Sequence, residues 1–165
     1  MKIKNIIEED FVNYKVPSMF ISTSQCDFKC DRECGKNVCQ NSSLAAAPVF
    51  EIDDAKLINK YLNNDITEAV VIGGLEPFDT FDEVYAFIWR FRQMSFDPIV
   101  IYTGYNPSEI KEQLKKLYKF NHLIVKFGRY MPDDNSRYDN VLGVTLASSN
   151  QFAMNIRDIE KQLEE

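Results

Sequence analysis

All four cysteines of the chain, Cys26, Cys30, Cys34 and Cys39, lie within residues 26–39, and none occurs elsewhere. Thiolates are soft donors, so a cluster this dense reads as a soft-metal site, a disulfide knot or a redox device. The gaps between them are three, three and four residues. Structural zinc usually draws on two close-spaced hooks a dozen or more residues apart, each on its own turn. A single compact loop suits an iron–sulfur cluster better, with zinc as the rival. The other residues with chemical potential are few. The one histidine, His122, opens an apolar run and reads as a surface or packing residue. With no nucleophile elbow beside it, a Ser/His or Cys/His hydrolase has little support.

Four further polar or glycine-rich segments follow apolar runs: Gly73-Gly74-Leu75-Glu76-Pro77, Thr103-Gly104-Tyr105, Lys126-Phe127-Gly128 and Ser148-Ser149-Asn150-Gln151. Taken singly, each is an ordinary turn or cap. Lys126 and Arg129 read as solvated charges at a rim, and Trp89 as core packing beside a helical stripe.

These segments need elements to position them. Ile3–Ile7 and Phe11–Lys15 read as an N-terminal hairpin around the acidic turn at residues 8–10, and residues 18–23 as a strand entering the cysteine loop. Asp53 or Asp54 caps a helix with Ala55, Ile58, Tyr61 and Leu62 on one face. Residues 68–74 are a short, nearly continuous β-branched run ended by glycines, the pattern of a strand covered on both faces; residues 98–102 read as the next buried strand, stopped by Thr103-Gly104, and residues 122–127 as a fourth strand, ended by Gly128. Between them, residues 80–94 carry Phe81, Val84, Tyr85, Ile88 and Phe91 at helical spacing. Asn106-Pro107-Ser108-Glu109 caps a helix whose stripe is Ile110, Leu114, Leu117 and Tyr118. After a polar loop at 132–137, Val141–Leu146 reads as a fifth strand, and residues 155–165 as a helix with Ile156, Ile159 and Leu163 inward.

Strands alternating with helices imply an α/β fold with a parallel sheet and right-handed crossovers. About five to six parallel strands fall short of a closed eight-stranded barrel, so the expectation is one domain over residues 1–165, an incomplete (β/α) barrel with an N-terminal hairpin. In such folds chemistry sits at the C-terminal ends of the strands. The cysteine loop and the four segments would then open onto one rim.

At 165 residues, 45% apolar and 27% charged, the chain is long and apolar enough for one ordinary core. A net charge of −6 with no basic run argues against a nucleic-acid partner, which needs a Lys/Arg footprint. No stretch has membrane-spanning length and the N-terminus lacks a signal-peptide run, so no membrane role and a cytoplasmic location are expected. Disulfides rarely persist there, which leaves metal binding as the leading use of the thiols.

The same residues resemble a known family. Cys26-x3-Cys30, Cys39-Gln40-Asn41, the strand-ending Gly-Gly with Glu76-Pro77, Thr103-Gly104-Tyr105 and Ser148-Ser149-Asn150-Gln151 look like the radical S-adenosylmethionine enzymes. Within them, the activating proteins of anaerobic (class III) ribonucleoside-triphosphate reductases are the most similar, in order over residues 17–152. The resemblance implies a radical-SAM type fold and a [4Fe-4S] cluster on Cys26, Cys30 and Cys39, with one iron left open for S-adenosylmethionine. It implies further that Asn41, Gly73, Gly74, Glu76, Thr103, Gly104, Ser148, Asn150 and Gln151 surround that cofactor, with Glu76 accepting from its ammonium. Reductive cleavage would yield a 5′-deoxyadenosyl radical that takes hydrogen from a glycine of a large glycyl-radical reductase subunit. A flavodoxin or ferredoxin would supply the electron.

Two departures from the family pattern stand out. The cysteine spacing is longer, so that Cys34 lies in an insertion if Cys39 is the third ligand; the alternative makes Cys34 the ligand and Cys39 spare. Leu75 also interrupts Gly-Gly-Glu-Pro, while Glu76 keeps the acid. A radical enzyme acting on a small molecule or peptide shares every motif. A non-catalytic iron–sulfur or zinc protein would use all four thiolates and close the site.

Overall fold

A computed structural model describes residues 1–162 in full and the backbone of residues 163 and 164; Leu163, expected inward, lies outside the fully described residues. Seven strands form one sheet in the order β3-β1-β2-β4-β5-β6-β9: β1 (Lys2–Asp10), β2 (Ser18–Thr23), β3 (Phe50–Glu51), β4 (Ala69–Gly73), β5 (Ile99–Tyr102), β6 (Leu123–Phe127) and β9 (Phe152–Asn155). The middle of the sheet, β2-β4-β5-β6, is parallel, whereas β1, β3 and β9 add antiparallel edges. The sheet is open, with β3 and β9 at its two ends.

Strand period explains how this sheet is buried on both faces. Met19, Ile21, Val70, Ile72, Ile99, Ile101, Leu123, Val125 and Phe127 point to one face. There they meet Leu57, Ile58 and Tyr61 of α3 (Asp54–Leu62), Val84, Phe87, Ile88 and Phe91 of α4 (Phe81–Phe91), Leu114 and Leu117 of α5 (Lys111–Leu117), and Ile156 and Ile159 of α6 (Ile156–Glu164). The alternate residues point the other way. Phe20, Val71, Val100 and Ile124 are paired in register across four strands and pack against Tyr14, Leu142 and Leu146 rather than against helices. Burying about 25 cal/mol per Å2 of apolar surface on both faces makes these strands the stable frame of the fold.

The fold differs from the sequence expectation in several places; on α3 the buried face is Leu57, Ile58 and Tyr61, while Ala55 and Leu62 are exposed. Residues 3–10 run as one strand that pairs with β2, and residues 11–16 do not form the second arm of a hairpin. The Asp10 carboxylate accepts from the Asn13 backbone N–H at 3.2 Å and its side-chain amide at 3.0 Å, which bends the chain there and drops Tyr14 into the core. Four parallel strands form the central sheet instead of five or six. Of Val141–Leu146, only β8 (Val144–Leu146) is extended, and it pairs with β7 (Arg137–Asp139) in a separate hairpin. Trp89 is 50% exposed, because Val84, Phe87, Ile88 and Phe91 already fill the buried arc of α4.

Besides the packing of Leu142 and Leu146, a buried carboxylate bonds the β7–β8 hairpin to the sheet. Asp139 is buried and accepts from Val141 N at 3.0 Å, Leu142 N at 2.9 Å and, across to β9, Ala153 N at 2.9 Å. Replacing Asp139 with Ala strands these donors. The expected loss is on the order of 3 kcal/mol of unfolding free energy, read as a lower denaturation midpoint in urea.

Candidate metal centre and adjoining cavity

The C-terminal ends of β2, β4, β5 and β6 open onto a cavity of about 540 Å3. Cys26, Cys30 and Cys39 line it, together with Gln40 and Asn41 from the same loop. The lining also includes Gly74 and Glu76 after β4, Thr103 and Gly104 after β5, Lys126 and Gly128 at the end of β6, and Gln151 before β9. Cys34 is not among the lining residues. It occupies the last position of a short helix, α1 (Lys29–Cys34), which is followed by Gly35 in a left-handed turn.

The cysteine loop is seated by several specific contacts. Glu76 N–H donates to Gln25 O at 2.9 Å, tying the start of the loop to the end of β4. Asp79 accepts from Asp27 N–H at 2.8 Å and from Tyr105 O–H at 2.7 Å. Asp31 accepts from the backbone N–H of both Val38 and Cys39 at 2.8 Å, which folds the end of the loop back over α1. At Gly74 (φ +78°) a Cβ would lie 2.8 Å from Leu44 Cδ2, so the helix after Asn41, α2 (Ser42–Ala46), rests directly on the strand end. Three of the thiols therefore line one volume, Cys30 from within α1 and Cys26 and Cys39 from the chain on either side of it.

Burial pushes the Cys26 thiol up to about 12, against the opposing effect of the Phe28 N–H that donates to its sulfur. Cys30 is raised for the same reason, with further upward pressure from Cys39 and Glu76. Metal binding must therefore displace protons from these sulfurs. Cys26, Asp27 and Asp79 also come within 4.8 Å of one another. Both Asp79 oxygens already accept protein donors, so that trio holds the loop in place. The soft donor set is the sulfurs that face the cavity, and it fits an iron–sulfur cluster.

Across the cavity, Glu76 is only 6% exposed. Its Oε1 accepts from Thr103 Oγ1 at 2.7 Å and Phe78 N at 3.1 Å, and its Oε2 from Gly104 N at 2.9 Å. An ionised carboxylate has about four acceptor positions. The remaining one lies on Oε2, beside Gly104, where a Cβ would come 3.8 Å from Cys30 Sγ. Burial pushes the Glu76 carboxyl up to about 7 despite the three donors. A cation arriving at Oε2 would reverse that shift.

The structure divides the remaining expected residues. Gly73 ends β4 and does not line the cavity; a Cβ there would sit 3.0 Å from Tyr102 Cβ. Of the Ser-Ser-Asn-Gln turn only Gln151 lines the cavity, and its amide donates to Gly128 O at 3.2 Å. Ser148 is fully buried, and its hydroxyl donates to Arg129 O at 3.4 Å; exposed Asn150 donates its amide to the same carbonyl at 2.9 Å. These two shape the backbone of the loop after β6 and do not face the cavity. His122 is an exposed residue at the bend just before β6.

Lys126 and Arg129, expected to be solvated, are 6% and 7% exposed. Arg129 forks onto Glu109 at 2.9 and 2.6 Å and reaches Glu33 of α1 at 3.1 Å. That clasp holds Glu109 down to about 2 and ties the cysteine helix to the β5 and β6 loops. The signal for Lys126 was its place inside the apolar run of the fourth strand, where neighbouring strands pair on both sides. For Arg129 there was none, because Glu33 and Glu109 are distant in the chain.

Residues 17–153 match the family model of the 4Fe-4S single cluster domain, and the chain belongs to that family. It is an iron–sulfur protein with its four cysteines in one loop. No curated protein and no solved structure matches the chain. Among the described residues no helix is long and apolar enough to cross a membrane.

The raised Glu76 carboxyl carries a pH signature. Between about 4.5 and about 7 the folded state keeps a proton that the unfolded chain has released. Stability of the metal-free protein therefore falls as pH rises through that window. Glu76→Gln removes this slope, at the cost of an amide N–H facing one of the three donors. Urea midpoints measured from about pH 5 to about pH 7 check it; parallel profiles for the two proteins would contradict the assignment.

Proposed function

We propose that this chain is a radical S-adenosylmethionine activating enzyme, which installs a glycyl radical on an anaerobic ribonucleotide reductase. The observation that carries the reading is the cavity itself. Cys26, Cys30 and Cys39 bound one wall, Cys34 stays outside, and a buried carboxylate with one free acceptor position faces them. Three thiolates leave one iron of a [4Fe-4S] cluster open, and a volume of about 540 Å3 accommodates a nucleoside-sized ligand. When bound, the cluster and S-adenosylmethionine supply one-electron reductive cleavage to a 5′-deoxyadenosyl radical.

The chain's own residues hold and shield the ligand. Glu76 Oε2 accepts from the ligand's α-ammonium, a charge-assisted bond favoured by its dry surroundings. Gly104 presents backbone without a side chain, so the ligand approaches the strand end closely. Phe20, Leu44, Leu75 and Tyr102 supply apolar lining and exclude water from the reacting region. The N-terminal residues Asn5, Ile7, Val12 and Asn13 and the β8 residues Val144–Leu146 form the side walls. The cavity remains open between them, which suits a macromolecular substrate that brings its own glycine. A flavodoxin or ferredoxin is the proposed electron donor.

The test is anaerobic reconstitution with iron and sulfide, reduction, and assay of 5′-deoxyadenosine from S-adenosylmethionine. Turnover is expected, followed by a glycyl-radical signal on a large reductase subunit when the two are mixed. A cluster inert towards the cofactor would replace this reading with a non-catalytic iron–sulfur module. Alanine at Cys26, Cys30 or Cys39 should abolish cluster uptake, whereas Cys34→Ala should retain the full iron content; the reverse for Cys34 and Cys39 would reassign the third ligand. Glu76→Gln should keep the iron and weaken S-adenosylmethionine binding by about tenfold to a hundredfold, from the 1.5–3 kcal/mol of a charge-assisted bond. Binding isotherms on the reconstituted variant measure this.

A further inference from the structure

Lys126 is a buried cation that no part of the reading above employs. Its strand explains where it points. Leu123, Val125 and Phe127 face the helices, so Ile124 and Lys126 face the opposite side, and Lys126 reaches the cavity that Cys26, Cys30 and Cys39 line. The ammonium donates to Gly128 O at 3.1 Å and lies 5.7 Å from the centre of the Tyr102 ring. Among the described residues it forms no ion pair, while Arg129, nearly as buried, has both Glu109 and Glu33.

An ammonium taken out of water without a counter-ion is costly, and a carbonyl with an aromatic face offsets only part of that cost. The position is consistent with a negative charge arriving in the cavity. Lys126 shares the lining of that cavity with Cys26, Cys30 and Cys39, and its backbone is joined to the strand end nearest Cys30: Thr103 N–H donates to Lys126 O at 2.8 Å, and at the next residue, Gly104, a Cβ would lie 3.8 Å from Cys30 Sγ. The charges of Cys30 and Glu76 both favour the ammonium form, although burial lowers it to about 8. A thiolate-ligated cluster is a net anion and becomes more negative when it takes up an electron. A fixed cation beside it in a low dielectric stabilises the reduced form more than the oxidised form.

We propose that Lys126 is the built-in counter-charge of the cluster and raises its reduction potential. The proposal rests on the iron–sulfur site alone and not on the radical reading, so the two fail separately.

The experiment uses the reconstituted full chain without S-adenosylmethionine. Wild type, Lys126→Met, Lys126→Gln and Lys126→Arg are compared by iron content and by redox titration, following the visible absorbance and the electron paramagnetic resonance signal of the reduced cluster. The expected result is full iron in all four, a potential shifted to more negative values in the Met and Gln variants, and near-wild-type behaviour in the Arg variant. Loss of iron from both neutral variants but not from Lys126→Arg would likewise support a counter-charge. An unchanged potential in Lys126→Met would overturn the proposal. An equal shift, or equal loss of iron, in all three variants would overturn it in favour of packing.

Discussion

The interaction on which the rest of the site depends is the set of bonds around the Glu76 carboxylate. Its two oxygens draw together the 3-10 turn at Pro77–Thr80 and both residues that follow β5, while its own N–H grips the entry of the cysteine loop at Gln25. Three donors around one buried acceptor leave little freedom for these segments to move separately. They do not fully compensate the desolvation of the charge, which is why the carboxyl stays raised. The site is thus held in place by a group that is itself short of one positive partner.

Charge is distributed unevenly around that hub. On the outer side, Arg129, Glu109, Glu33 and Lys29 form a closed set, with Lys29 and Arg129 both over the Tyr105 ring. Those charges are matched, and they act as a clasp on the cysteine helix. On the cavity side the matching stops: Glu76 has no cation and Lys126 no carboxylate within ion-pair reach among the described residues. Local ion pairs stabilise the loops, whereas the two unmatched charges of opposite sign both line the cavity.

The sheet makes this arrangement possible. All described helices that fill the core lie on one face, so the other face is free to carry a cavity at its open end and an apolar floor beneath it. Phe20, Val71, Val100 and Ile124 form that floor in one register-aligned row. The antiparallel edges and the β7–β8 hairpin supply the walls that extra parallel strands and helices would otherwise provide. The hairpin depends on Asp139, whose carboxylate substitutes for a longer sheet contact.

Local pattern alone determined much of this protein. The density of Cys26, Cys30, Cys34 and Cys39, the glycine-stopped runs that became β4, β5 and β6, and the stripe of α4 are all short-range signals, set by strand and helix period; on α3 only Ile58 and Tyr61 of the expected face are buried, with Leu57 in place of Ala55 and Leu62. The short-range signals were enough to place Glu76, Thr103 and Gly104 on one rim. What tertiary structure decided is everything that depends on partners remote in the chain. That residues 11–16 bend inward and that Val144–Leu146 pairs with Arg137–Asp139 are consequences of packing and of Asp10 and Asp139 finding their donors. That Cys39 faces the cavity and Cys34 does not depends on Asp31 drawing the end of the loop back over α1 and on Leu44 resting against Gly74. Lys126 and Arg129 look alike as residues, but Arg129 is paired because Glu33 and Glu109 are brought to it, and Lys126 is left unpaired because no carboxylate is. Periodicity specifies which face a side chain takes; only the folded chain specifies what waits for it there.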